Sequence, residues 1–103
     1  MTLDEVSDKS LKIRELYHEL EILYHAKKWS PQEDVLGFLT DASLVGRYVM
    51  SKQERWSSDD EGDLAHKIGE CVWWLAVIAS KNGVDFSQSV CDFLNEKMTH
   101  LNK

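Results

Sequence analysis

Hydrophobic positions recur every three or four residues along most of the chain, and no segment alternates as a strand on a sheet surface would. The first periodic segment opens near Thr2 or Asp4 and continues to about Lys28. Leu16, Leu20 and Leu23 form its apolar stripe, with Ile13, Tyr17 and Tyr24 beside them. Ser30, Pro31 and Glu33 then read as a helix start. The serine caps, proline suits the first helical position, and the glutamate reaches back to the cap. The helix they open carries Val35, Leu36, Phe38, Leu39, Ala42, Val45, Tyr48 and Val49, and its pattern fades after Met50.

A polar link over residues 51–57 precedes a second capping signature, Ser58-Asp59-Asp60-Glu61. Its acids complement the positive end of a helix dipole. The third stripe is Leu64, Ile68, Cys71, Val72, Leu75, Ile78 and Ala79. Trp73, Trp74, Ala76 and Val77 make the second half of this helix apolar on nearly all sides, the mark of a helix covered from several directions. Trp73 and Trp74 cannot share one stripe, so one of them must meet a further helix or another subunit. Gly83 is placed for a left-handed C-terminal cap. Asp85 to Gln88 then opens a fourth helix with Val90, Leu94, Met98 and Leu101 on one face. Four helices on short links predict an all-α four-helix bundle occupying residues 1–103 as one domain.

Composition narrows the function classes. With 103 residues the chain suits one domain, and its aromatic content, four Trp included, argues against a disordered segment. A formal charge of -6 disfavours nucleic acid as a partner, since phosphate contacts need clustered Lys and Arg. The longest near-continuous apolar run, residues 71–79, is far shorter than the ~20 residues of a membrane span. The polar, acidic start MTLDEVSDKS is unlike a signal peptide, and Cys71 and Cys91 lack metal-ligand spacing. A reduced, cytoplasmic setting without membrane contact is the expectation.

Two acids stand in apolar surroundings. Asp41 lies near the centre of the second helix, and Glu70 lies at the mouth of the apolar run on the third. A carboxylate losing its water needs a metal, a cation or a hydrogen-bond donor. If the two helices pack antiparallel, the acids approach from facing surfaces, as in bundles that hold divalent ions. The bland alternative is ordinary pairing: His66 and Lys67 lie four and three residues before Glu70, and Asp41 could face solvent.

Residues 29–85 resemble the MazG-like all-α nucleoside triphosphate pyrophosphohydrolases. The features that carry the resemblance are Lys28-Trp29-Ser30-Pro31, the link with Trp56, and the run Ile68-Gly-Glu-Cys-Val-Trp-Trp-Leu-Ala-Val-Ile-Ala79 leading into Asn82-Gly83-Val84-Asp85. The resemblance implies cleavage of a nucleoside triphosphate to monophosphate and pyrophosphate, with Mg²⁺ held by a pair of acids on each of the second and third helices. It also implies a homodimer or tetramer, the bundle being completed across the interface. Aligned through Gly83, those pairs fall on Asp41 with Leu44 and on Lys67 with Glu70. Asp41 and Glu70 are therefore the two metal ligands carried over. Leu44 cannot coordinate, and Lys67 brings a positive charge. Mg²⁺ requires hard oxygen ligands in octahedral geometry, so a site with half its acids is degenerate.

Three readings follow. In the first, the chain still turns over, with Asp41 and Glu70 holding one Mg²⁺ and Asp63 or another subunit's acids completing the shell. In the second, it binds a nucleotide with weak or no hydrolysis, and Lys67 meets a phosphate or neutralises Glu70. In the third, it is a helical regulatory or interaction protein with no small-molecule site. Weaker signals are Arg47, Lys52 and Arg55 after the second helix, which are more commonly a solvated helix end, and Trp29 and Trp56, which could stack on a base.

Overall fold

A computed structural model describes residues 1–53 and 63–102, which form four helices and no strand. The helices are α1 (Leu3–His25), α2 (Pro31–Lys52), α3 (Leu64–Lys81) and α4 (Phe86–Leu101). Each is started by a side chain that takes over an otherwise orphaned backbone N–H. Thr2 and Glu5 form a reciprocal capping box on α1, and Ser30 and Glu33 form the expected one on α2. Asp85 Oδ1 accepts the Gln88 N–H at 2.9 Å on α4.

Two boundaries differ from the sequence expectation. The α1 helix stops at His25, short of Lys28, because Ala26 turns into the left-handed region at φ 67° while its N–H still bonds Ile22. The Ser58-Asp59-Asp60-Glu61 signature lies outside the described residues. The α3 helix opens at Leu64, where Asp63 accepts the His66 N–H at 3.0 Å. Gly83 ends α3 as expected. Its φ of 69° belongs to a conformation that strains any residue with a Cβ, and the Val84 N–H closes the turn on Ala79 at 2.8 Å.

The hub is α3. It packs against α1, α2 and α4, and α4 also touches α1. Ser87 donates to Asp4 at 2.6 Å, tying the start of α4 to the first turn of α1. Gly37 lies beside Trp74 while Asp41, one turn later, meets Lys67, so α2 and α3 run antiparallel. The two tryptophans diverge within one chain. Trp73 turns to α1, donating to the Ser10 carbonyl at 3.0 Å, and Trp74 turns to α2. No helix among the described residues is long and apolar enough to cross a membrane.

The core reverses the expectation for α1. Trp74, Ala76 and Val77 are buried on α3, but what α1 and α2 bury beside them is Ser10, Arg14, His18 and Asp34. The stripe of Ile13, Leu16, Tyr17, Leu20, Leu23 and Tyr24 is left 44–72% exposed. The buried residues Ser10, Arg14 and His18 repeat at helical spacing about a hundred degrees around α1 from that stripe. The indoles of α3 explain the choice. Trp73 needs an acceptor for its N–H, and Trp74 offers a π-face that attracts a guanidinium, so a polar side of α1 meets them better than leucines would.

Candidate functional site

Lys67, one turn into α3, sits between the two predicted acids. Its ammonium donates to Asp41 Oδ1 at 3.0 Å and to Glu70 Oε1 at 2.7 Å. Trp74 Nε1 donates to the other oxygen of Asp41 at 2.7 Å. Antiparallel packing of α2 on α3 thus brings Asp41 and Glu70 to one place, as their surroundings suggested. The charge that joins them is the chain's own. Hydrogen bonding to Glu70, with a further bond to Asp41 and the attraction of both carboxylates, outweighs partial burial and holds the Lys67 ammonium well above the usual lysine range.

This donor set does not fit a resident Mg²⁺. Both oxygens of Asp41 are engaged, an ammonium fills the space between the acids, and Leu44 offers no oxygen. Among the described residues, no group of three or more His, Cys, Asp and Glu side chains is placed to hold a metal. Asp63 spends its side chain on the α3 cap. Lys67 gives two of its three ammonium N–H groups to the acids, which leaves one for a further acceptor. His66 gives up its place as partner of Glu70 to Lys67. Cys71 is half-buried beside this cluster, and burial, reinforced by the charges of Asp41 and Glu70, pushes its thiol above the usual range. A raised thiol is a poor nucleophile. Arg55 and Trp56 lie outside the described residues.

A second cluster, absent from the sequence reading, lies next to the first. Arg14 Nη1 bonds Glu21 Oε2 at 2.8 Å, and its Nη2 bonds Asp34 Oδ1 at 2.8 Å with both partners of that second pair almost fully buried. Glu21 is the junction: its Oε1 accepts the Trp29 N–H at 2.8 Å and lies 2.9 Å from His18 Nδ1. Burial would raise this carboxyl. The bonds from Arg14, the Trp29 N–H and His18, with the charge of Arg14, overcome that and hold it at about 2. The same contacts fasten the α1–α2 connection, because Trp29 stacks on Trp74 with ring centroids 6.2 Å apart and planes 10° from parallel. The Arg14 guanidinium lies 5.7 Å and 5.5 Å from the Trp29 and Trp74 ring centroids. Arg14 Nε and Asp34 Oδ2 are buried without a partner.

The clusters share a cavity of about 250 Å³ lined by Arg14, Tyr17, Glu21, Trp29, Glu70, Trp73 and Trp74. Sequence periodicity holds a trace of the second cluster. Ser10, Arg14, His18 and Glu21 follow one side of α1, but a polar stripe reads as solvated unless its neighbours are known.

Gly37 forms the floor under both indoles. A Cβ there would fall 2.8 Å from Trp74 Cζ2 and 3.1 Å from Trp29 Cζ3. Gly37→Ala gains nearly 1 kcal/mol of helix propensity but overpacks a stacked pair at about 1–3 kcal/mol, for a net loss of up to about 2 kcal/mol. The check is thermal unfolding followed by near-UV circular dichroism. Unchanged stability and an unchanged aromatic spectrum would contradict the close packing.

In comparisons with known proteins, no family model, no curated protein and no solved structure matches the chain.

Proposed function

We propose that the chain is a MazG-like relative with a degenerate metal site, binding a nucleotide with weak or no hydrolysis to monophosphate and pyrophosphate. The observation that carries this reading is the Asp41–Lys67–Glu70 bridge. Metal-assisted phosphoryl chemistry needs a divalent ion that polarises phosphate and activates water. An ammonium supplies neither the second charge nor a site for water. The two acids with Lys67 leave a net negative charge, which repels a triphosphate that arrives without its metal. Any bound nucleotide is therefore held by its base and sugar more than by its phosphates, and the aromatic cavity beside Glu70 offers that kind of surface.

Calorimetric titration of Mn²⁺, with and without a non-hydrolysable deoxynucleoside triphosphate, tests the reading on wild type, Glu70→Ala and Lys67→Glu. The wild type should bind Mn²⁺ feebly and release no pyrophosphate from natural nucleotides. Lys67→Glu, which adds a third carboxylate and removes the cation, should strengthen Mn²⁺ binding by about ten-fold or more. Metal-dependent pyrophosphate release by the wild type, abolished in Glu70→Ala, would sink the non-hydrolysing reading.

A second reading, a helical regulatory or interaction protein with no small-molecule site, is favoured by the exposed stripe of α1. Phe93, Leu94, Met98 and Leu101 of α4, all more than half exposed, favour it too.

A further inference from the structure

Four aromatic rings follow one another along the cavity between the two clusters. Trp29 stacks on Trp74, and Trp74 lies 4.5 Å from Trp73 with the ring planes 50° apart. Trp73 in turn lies 5.8 Å from Tyr17, the planes 60° apart. The two tilts bend the row around a space of about 250 Å³, with Tyr17, Trp73 and Glu70 among its walls. That is smaller than the roughly 300–1,000 Å³ of a pocket for a drug-sized ligand, so it admits a small head group. The indoles are fixed before any ligand arrives, Trp73 by the Ser10 carbonyl and Trp74 by Asp41. Walls that are already ordered spare the cost of ordering them on binding.

The charge around this space has a definite sign. Arg14 is paired with Glu21 and Asp34, and Lys67 with Asp41 and Glu70. Each cation thus carries two carboxylates, and with His18 neutral the two clusters leave a surplus of two negative charges beside the rings. Aromatic faces attract cations through their quadrupole. The chain already uses this at one end, where the Arg14 guanidinium lies against Trp29 and Trp74. At the other end, Tyr17 and Trp73 hold no cation among the described residues.

Hydrogen bonding narrows which cation fits. Both oxygens of Glu21 are taken, by Arg14, His18 and the Trp29 N–H. Glu70 gives Oε1 to Lys67, and among the described residues its Oε2 accepts no hydrogen bond. The carboxylates of the wall therefore offer one open oxygen. A primary ammonium brings three N–H groups, more than that oxygen can satisfy, and an unmatched donor against aromatic walls is costly. A methylated ammonium with one N–H or none meets no such penalty.

We propose that Tyr17, Trp73 and Glu70 form a cage for a methylated ammonium head group carrying at most one N–H. The rings take its methyl groups and its charge, and Glu70 supplies the counter-charge. This goes beyond the nucleotide reading and does not rest on it. The test is calorimetric titration with choline and with its neutral isostere, in which carbon replaces nitrogen. Choline should bind at least about ten-fold more tightly, since shape is matched and charge alone differs. Glu70→Gln and Tyr17→Leu should each weaken choline several-fold, while Tyr17→Phe, which keeps the ring, should not. Tyr17 is half exposed, so its variants test the cage even if Glu70→Gln, by releasing Lys67, disturbs the fold. A peptide bearing trimethyl-lysine, set against the same peptide unmodified, separates the two sources of the head group. Tighter binding than choline assigns it to a protein side chain, and weaker binding to a free small molecule. Equal affinity for choline and its isostere, or no binding of either at millimolar concentration, overturns the cage. Unchanged choline affinity in both Glu70→Gln and Tyr17→Leu overturns its location. A deoxynucleoside that binds where choline does not overturns the cage and leaves the nucleotide reading standing.

Discussion

Replacing Asp34 with alanine lowers the unfolding free energy by about 3–5 kcal/mol, the cost of leaving one member of a buried ion pair without its partner. Arg14 and Asp34 are each 2% exposed and joined at 2.8 Å. Arg14 already has an unpaired Nε, so it has little spare bonding to absorb the loss. Glu21 remains as its second carboxylate, which places the effect toward the lower end of that range. Asp34 also lies in the first turn of α2, where a negative charge near the helix N-terminus adds about 0.3–1 kcal/mol. Urea unfolding at neutral pH gives the measurement. The double variant Arg14→Met, Asp34→Leu should recover most of the loss, because apolar residues of similar volume leave no orphaned charge. An Asp34→Ala penalty below about 1 kcal/mol would show that water reaches Arg14 and that the pair is not sealed.

Acid unfolding gives the second large effect, and Glu21 sets its pH window. Its carboxyl is lowered from 4.5 to about 2 in the folded chain. A depressed carboxyl contributes stability that is fully present above its unfolded value. That stability is lost as pH falls from about 4.5 through about 2, where the folded group also takes up a proton. With 14% of the side chain exposed, the contribution is about 3 kcal/mol at neutral pH. Glu21→Gln should therefore be less stable than wild type by about that amount at pH 7. The two stability curves should converge as the solution approaches pH 2. Parallel curves down to the acid limit would mean that Glu21 titrates alike in the folded and unfolded chains. The same variant loosens the α1–α2 connection, because the Trp29 N–H loses its carboxylate at Glu21, so tryptophan fluorescence should shift with the stability.

Legibility differed sharply between local and distant features. The caps at Ser30, Gly83 and Asp85 follow from neighbouring residues and stand where their chemistry places them. The approach of Asp41 and Glu70 was also legible, because a carboxylate in an apolar stretch needs a partner. What occupies the space between them was not decided by that argument. Lys67 could have turned to solvent as readily as inward until the Trp74 indole and both acids fixed its surroundings. Arg14, His18, Glu21 and Asp34 carry no such signal, for the opposite reason. Single charged residues among other charged residues carry no local sign of burial, and the partners of Arg14 are seven and twenty positions away.

Sequence by itself determined the four helices, most of their starts and stops, and the placing of two acids and a lysine on facing elements. These depend on the 3.6-residue period and on capping bonds spanning three or four positions, which any reader of the chain can see. Tertiary structure decided which side of α1 faces inward. A helix with an apolar side and a polar side satisfies periodicity in either orientation. The choice falls to the neighbouring surface, here the N–H of Trp73, the π-faces of Trp29 and Trp74, and the carboxylate of Asp34. Those groups reward an arginine with hydrogen bonds and cation–π contacts that a leucine cannot make. The apolar stripe is thereby left on the outside of the chain.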